Sequence, residues 1–375
     1  VKHVQIITRL IVGGAQRIAI ETAADCRARG DDVQIWCGPQ TGPEGSLADE
    51  TRARGIPLVI VPDLVKEVSP HRDAAALRWI AARLRRDRPD VVHTHSSKAG
   101  ILGRRAARSA RVPRIVHTIH GWGFSERTPL PARLAFVLAE RVAAAWADRL
   151  VAVSDAVRAE GLRNGIGRAD SYEVVRPGID TTAFADLAAI QARGRALRDA
   201  LGIPADAVLA GTVTRLSPQK DPMRIVKAAR DHRNLHWLIV GDGPMRDAIE
   251  REISRDGLGD RVRLTGLRAD VASCLAALDI FVLTSLWEGL PLTLLEAKMA
   301  GVPIVAARVG GVDEILPPAP AGWGFPVGDA TAFDQALASC AAALPDAREA
   351  ALRDRATSME EHSLRRMLDR IHALY

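Results

Sequence analysis

Twice along the chain, short runs rich in Val and Ile alternate with longer stretches whose apolar residues recur every three or four positions. The strand-like runs of the first half stand at 3–8, 32–37, 57–61, 90–94, 114–118 and 149–153, with helical patterns such as 15–29 and 74–86 between them. The second half repeats the scheme at 208–214, 236–241, 261–265, 279–284 and 302–306. Such alternation predicts an α/β protein with a doubly wound, parallel sheet. At 375 residues the chain is too long for one core and suits two domains of this kind. A turn cluster, Val174 to Asp180, and the arginine-rich helix at 190–201 set the boundary. The expected division is 1–176, then 177–355, with a last helix within 356–375 that packs back on the first domain.

Open parallel sheets bind ligands beyond the carboxyl ends of their strands, so the polar residues there are the ones to weigh. The segment 284–301, TSLWEGLPLTLLEAKMAG, follows an apolar strand and reads as turn, then helix. It carries Glu288 in the turn and Glu296 in the helix. In one continuous helix, eight residues would leave them about 80° apart. With Glu288 on the preceding loop, both can face the crevice, and the helix start offers N–H groups and a positive dipole end to phosphate. Gly289, Leu290 and Leu292 lie between the two acids. The run GTVTRLSPQK puts Arg215 and Lys220 on one loop; Arg grips phosphate bidentately and Lys acts as a point charge. Gly241 and Gly243 end the next strand in a tight turn, and Leu267 and Arg268 follow the one after. A solvated loop explains any one of these alone.

In the first half, Gly13 and Gly14 occupy the first strand-to-helix turn, where small residues let a ligand approach the backbone; no G-x-G-x-x-G is present there. His93 and His95 end the fourth strand, His117 and His120 the fifth. A metal cluster would want a carboxylate at ligand spacing, which they lack, so cleft-lining hydrogen-bond donors are the expectation, with His120, ahead of Gly121 and Gly123, best placed.

Charge narrows the partners. Residues 1–178 hold 28 Lys/Arg against 19 Asp/Glu, and the remainder 23 against 26. The basic excess gathers at Arg78–Arg88 and Lys98–Arg114, which predicts contact with an anionic membrane face or an anionic acceptor. Nucleic acid is disfavoured because aromatic residues are only 4% and do not interleave with the basic runs. No apolar run approaches the roughly 18–20 residues of a membrane span. The amino-terminal stretch reads as a first strand and not a signal peptide. Four cysteines without metal spacing read as reduced core thiols of a cytoplasmic protein.

Together these motifs resemble a known family. EGLPLTLLE (the family's E-x7-E), GTVTRLSPQKD, VGDGP and the first-turn GGAQ, in this order, are similar to the GT-B fold glycosyltransferases of family 4. The runs DVVHTHSSKAGILGRRAA and HTIHGWGF resemble the subgroup that builds bacterial surface polysaccharides. The resemblance spans nearly the whole chain and implies two Rossmann-like domains facing across a cleft. It implies a retaining glycosyl transfer from a nucleotide sugar, UDP being the default, to a glycan or polyprenyl-diphosphate-linked acceptor at the inner membrane face. It also implies the roles. Glu296 would bind the ribose hydroxyls, Glu288 the sugar hydroxyls, and Arg215 and Lys220 the diphosphate. His120 would contact the sugar at the reacting end, and Gly13 and Gly14 would admit donor phosphate and acceptor. Leu267 and Arg268 would lie by the base. No D-x-D triplet occurs, which fits a family that needs no metal or other cofactor. Two other classes share the fold: a UDP-N-acetylhexosamine 2-epimerase and a non-catalytic sugar-nucleotide-binding module. The Arg215/Lys220 loop together with E-x7-E argues against the first. The intact set of acids, cations and His120 argues against the second.

Overall fold

The inner strands of each sheet are short runs rich in Val and Ile and are buried on both faces, as parallel sheets demand. A computed structural model describes residues 1–40 and 44–375. The chain forms two units, Val1–Pro177 joined by Arg365–Tyr375, and Gly178–Leu364.

The first unit holds β1 (Lys2–Ile7), β2 (Asp32–Cys37), β3 (Leu58–Ile60), β4 (Val91–His95), β5 (Arg114–Ile119), β6 (Arg149–Ala152) and β7 (Tyr172–Val174). They pair in parallel in the order β3-β2-β1-β4-β5-β6-β7. The second unit holds β8 (Val208–Val213), β9 (Leu235–Val240), β10 (Val262–Gly266), β11 (Ile280–Leu283), β12 (Ile304–Ala307) and β13 (Gly322–Phe325), ordered β10-β9-β8-β11-β12-β13 and again parallel. In each sheet the winding direction reverses once, between β1 and β4 and between β8 and β11. These are the switch points at which ligands bind to open α/β sheets.

Two strands had no counterpart in the sequence reading. β7 is only three residues long, and β13 is a Gly-Trp-Gly-Phe run with little β propensity of its own. Both are edge strands that pairing with a neighbour creates. The strand expected from 302 starts at Ile304, since Pro303 has no N–H for the ladder.

The segment that returns to the first unit starts at Arg365. The helix Leu344–Glu361 belongs to the second unit, whereas the helix Leu364–His372 buries Met367, Leu368 and Ile371. Outgoing and returning chain are stitched side by side: Ile179 and Ser363 form an isolated parallel bridge, closed by Ile179 N–H to His362 O at 3.0 Å and Leu364 N–H to Ile179 O at 2.9 Å. All four cysteines are buried and free, and burial raises their thiol pKa to about 11 or 12.

Candidate active site

In the second unit the loops after β8, β9 and β11 are fastened to one another by backbone. Thr214 N–H donates to Val240 O and Leu216 N–H to Asp242 O, each at 2.9 Å, and Met245 N–H returns to Leu216 O at 3.0 Å. The close approach explains Gly241. Its φ is +136°, and a Cβ there would sit 1.8 Å from the Thr214 carbonyl oxygen. Gly243 likewise faces the Leu216 carbonyl. These two glycines, expected at the ligand, are demanded first by the packing of the loop that carries Arg215.

The same loop is tied to the strand end of β11. The Thr284 hydroxyl donates to Lys220 O (2.8 Å) and Asp221 O (3.0 Å), Leu286 N–H to Gln219 O (2.8 Å), and Gln219 Nε2 to Trp287 O (2.9 Å). The result brings Lys220 Nζ against Glu288 Oε1 in an ion pair whose side chains are 19% and 7% exposed. Residues 68 positions apart thus share one contact. Glu288 lies on the loop ahead of the helix Leu292–Met299, and its own carbonyl abuts Gly310, where a Cβ would clash at 2.0 Å. Gly311 N–H donates to Gly289 O at 2.8 Å. Leu290 is buried, Leu292 opens the helix, and Glu296 is half-buried in its second turn. Pro291, which precedes the helix, provides no side-chain cap. Arg215 is half-buried, and its guanidinium has no hydrogen-bond or ion-pair partner among the described residues. Leu267 is 49% exposed, and Arg268 is held by Asp270 in a two-point pair of 2.9 and 2.7 Å.

In the first unit Gly13 has φ of 178°, extended backbone that any residue adopts, and a Cβ there would meet only the mobile end of Gln16. The local fold does not demand this glycine. Gly14 begins the helix Gly14–Ala28. Beside it, at the β1/β4 switch point, the hydroxyls of Thr8 and Ser96 lie 2.8 Å apart. Ser96 has φ +63° and ψ 156°, a conformation nearly confined to glycine, held at the carboxyl end of β4. Nothing in the sequence singled out Ser96.

The four histidines divide. His93, His95 and His117 are fully buried, and burial pushes all three well below the ordinary value, His93 to about 3. Their partners are polar side chains and, for His117 Nδ1, also the Thr94 carbonyl at 3.1 Å. His93 bonds Tyr375 Oη and Thr118 Oγ1, both at 2.7 Å, and His117 Nδ1 bonds Thr94 Oγ1 at 2.9 Å. His95 bridges Gln5 Oε1 (2.8 Å) and His120 Nε2 (2.9 Å). Because Gln5 Nε2 donates to Tyr375 Oη, its oxygen faces His95, whose Nε2 therefore carries the proton. His95 Nδ1 is then bare and accepts from His120 Nε2–H, which leaves His120 Nδ1 as an acceptor. His120 thus donates within the network, and the nitrogen it leaves open is an acceptor where a donor was expected. Burial lowers the His120 pKa to about 4, so the ring is neutral at pH 7. A neutral imidazole with one acceptor left open among the described residues suits a hydroxyl and not a phosphate.

Among the described residues, one group offers metal-ligating atoms within 4.8 Å of one another: His3, Cys26 and Asp31, at the amino ends of β1 and β2, away from the loops above. None of its members belongs to the expected site.

Two doubly wound parallel sheets with polar loops at their switch points make up the GT-B fold, and the sequence matches show that the chain belongs to the glycosyltransferases of that fold. The family model for group 1 glycosyl transferases matches residues 195–350, and that for Glycosyltransferase Family 4 matches 12–183. Among its relatives it is 32% identical, over 83% of this chain and 80% of the other, to the UDP-Gal:α-D-GlcNAc-diphosphoundecaprenol α-1,3-galactosyltransferase of Escherichia coli. It is 28% identical, over 97% and 89%, to a D-inositol 3-phosphate glycosyltransferase of Saccharomonospora viridis. Its fold matches Anabaena HepE solved in complex with UDP-glucose, with TM-score 0.82, 22% identity and 100% and 99% of the chains covered. Sucrose-phosphate synthase of Thermosynechococcus elongatus matches with TM-score 0.83 at 20% identity, over 100% and 98%.

Proposed function

We propose that the chain is a retaining glycosyltransferase that moves a sugar from a UDP-sugar to a polyprenyl-diphosphate-linked glycan, without a metal ion. The Lys220–Glu288 contact carries this reading. A donor's sugar and its β-phosphate are joined through a single oxygen, so the cation for one and the carboxylate for the other must be neighbours. Lys220 and Glu288 are, at the β8/β11 switch point. Arg215, on the same loop and with a guanidinium that has no partner among the described residues, supplies a second charge for the diphosphate. Glu296, one turn into the following helix, takes the ribose hydroxyls, and Leu267 with Arg268 borders the base. In the first unit His120 Nδ1 accepts from a hydroxyl of the sugar, and Gly13, which the backbone itself does not require, leaves room for phosphate or acceptor.

Cleavage of the sugar–phosphate bond builds negative charge on the departing diphosphate while the sugar turns oxocarbenium-like. Fixed cations aimed at that charge lower the barrier, and losing one donor of this kind typically costs about 3–4 kcal/mol. The acceptor hydroxyl attacks from the face the diphosphate leaves, and the leaving phosphate takes the acceptor proton, so neither glutamate forms a glycosyl bond. The name of the E. coli relative supports a lipid-diphosphate acceptor, and the complex of Anabaena HepE supports a UDP-linked donor.

A panel of nucleotide sugars, followed by nucleotide release with and without polyprenyl-diphosphate sugars in the presence of EDTA, tests the whole proposal. Transfer that depends on acceptor and survives EDTA is the expected result. Isomerisation without acceptor would indicate an epimerase, and nucleotide binding without turnover a binding module. Arg215→Ala and Lys220→Ala should each lower turnover by about 10²–10³-fold, the first with an unchanged melting temperature and the second with a lower one, because Glu288 is left buried without its partner. Unimpaired turnover in either variant would remove that cation from the diphosphate.

A further inference from the structure

The helix Leu130–Ala144 in the first unit is apolar on both sides. One face is its proper core face: Val137, Glu140, Ala143 and Ala144 are buried. That face is locked, because Glu140 Oε2 accepts from Arg104 Nη2 at 2.6 Å, with side chains 3% and 1% exposed. The opposite face carries Leu130, Leu134, Leu138 and Val142, which are 65%, 60%, 62% and 48% exposed. Positions four apart step about 40° round a helix, so this row sweeps about 120° of its surface. Pro131 and Ala135 extend it, and the one charge on the exposed arc, Arg141, donates to Asn164 O. A helix apolar all round belongs in a buried place, and four large aliphatic side chains in one exposed row are not scattered surface residues.

We propose that this face lies in the surface of an anionic lipid bilayer and seats the first unit on the membrane. Charge chooses the occupant. Between Lys98 and Arg149 the chain holds ten Lys/Arg and three Asp/Glu, one of the three being the buried Glu140. Arg127 lies just before the row and Arg149 just after it, both exposed. At the far end the Arg105 guanidinium stacks over the Trp146 ring at 5.2 Å, a pairing of cation and amphipathic ring that suits the headgroup level. A second copy of the chain would bring two such basic neighbourhoods together, which like charges oppose. A plane of anionic headgroups over acyl chains meets both the arginines and the leucines. Among the described residues no helix is long and apolar enough to cross a membrane, so the helix lies on the bilayer. The inference deepens the proposed function and rests on it in one respect: a polyprenyl-linked acceptor presents its diphosphate at this surface. It also moves the membrane contact from the basic helices expected in the sequence to an apolar row between arginines.

Co-sedimentation of the full chain with vesicles of phosphatidylcholine, with and without 30 mol% phosphatidylglycerol (about a physiological anionic fraction), tests it. Binding should require the anionic lipid and weaken with salt. The exposed double substitution Leu134→Ser/Leu138→Ser should lower partition by at least about tenfold with an unchanged melting curve. Arg105→Gln/Arg149→Gln should weaken binding and flatten its salt dependence. Equal partition of the leucine variant and the parent overturns the proposal. So does a parent that ignores vesicles and is a dimer by light scattering, with the leucine variant a monomer, since a second copy then covers the row. None of these readouts uses the sugar donor. UDP binding, measured by calorimetry, separates failure of the membrane proposal from failure of the glycosyltransferase reading.

Discussion

His120 shows how much of a side chain's chemistry is settled by partners several bonds away. Its free nitrogen is an acceptor because Gln5, held by Tyr375, fixes the proton of His95. Tyr375 therefore positions the network, and burial raises its own pKa well above the usual phenol value. Tyr375→Phe removes the hydroxyl that His93 Nδ1 and Gln5 Nε2 share, and should cost about 1–3 kcal/mol in chemical denaturation. An unchanged midpoint would show that these groups find water instead. The buried histidines also set an acid limit. His93 and His120 have folded values of about 3 and about 4, below an unfolded value near 6.5. Between those limits the unfolded chain binds more protons, so stability is full above pH 6.5 and falls as pH drops towards 4. The loss from pH 7 to 4 should be on the order of 5 kcal/mol, read as a falling denaturation midpoint. A flat profile would mean that the histidines are hydrated.

At the scale of elements, the site depends on loops that hold one another by backbone. Gly241 is where the loop after β9 meets the loop carrying Arg215, so Gly241→Ala meets both a 1.8 Å clash and a positive φ. It should destabilise by more than about 3 kcal/mol, the range of severe strain or overpacking. Gly13→Ala meets only the far end of the Gln16 side chain, which can swing aside, and should stay within about 0.5 kcal/mol of the parent in stability. Comparing the two melts with their turnover separates glycines kept for the fold from those kept for a ligand. If Gly13→Ala lost as much stability as Gly241→Ala, this distinction would collapse. The E-x7-E spacing was legible in the sequence, and so was the loop before the helix. The ion pair of Glu288 with Lys220 was not, because no local pattern relates residues 68 apart.

For the whole molecule, the chain leaves its first unit at Pro177 and comes back at Arg365. The returning helix buries Met367, Leu368 and Ile371, and Arg370 and Asp369 pair with Glu173 and Arg29. Three buried apolar side chains at about 1.5–3 kcal/mol each are worth about 4.5–9 kcal/mol, comparable to the entire margin of a domain. A chain ended after Leu364 should therefore lose the cooperative melt of the first unit while the second unit still binds UDP. Two intact melts in the shortened chain would show the first unit to be independent of its last helix.

Periodicity and turn residues were enough to place eleven of the strands and to mark the carboxyl-end loops, since burial on both faces and tight turns write themselves into local composition. The order of motifs was enough to suggest the family. Tertiary structure alone decided what pairing creates. It made strands of β7 and β13, sorted the histidines into three buried ones and one with an open acceptor, and strained Ser96. It also turned an apolar row of Leu130–Ala144 outward. A side chain's partner, tautomer and exposure depend on segments far away in sequence, and only the folded chain brings those segments together.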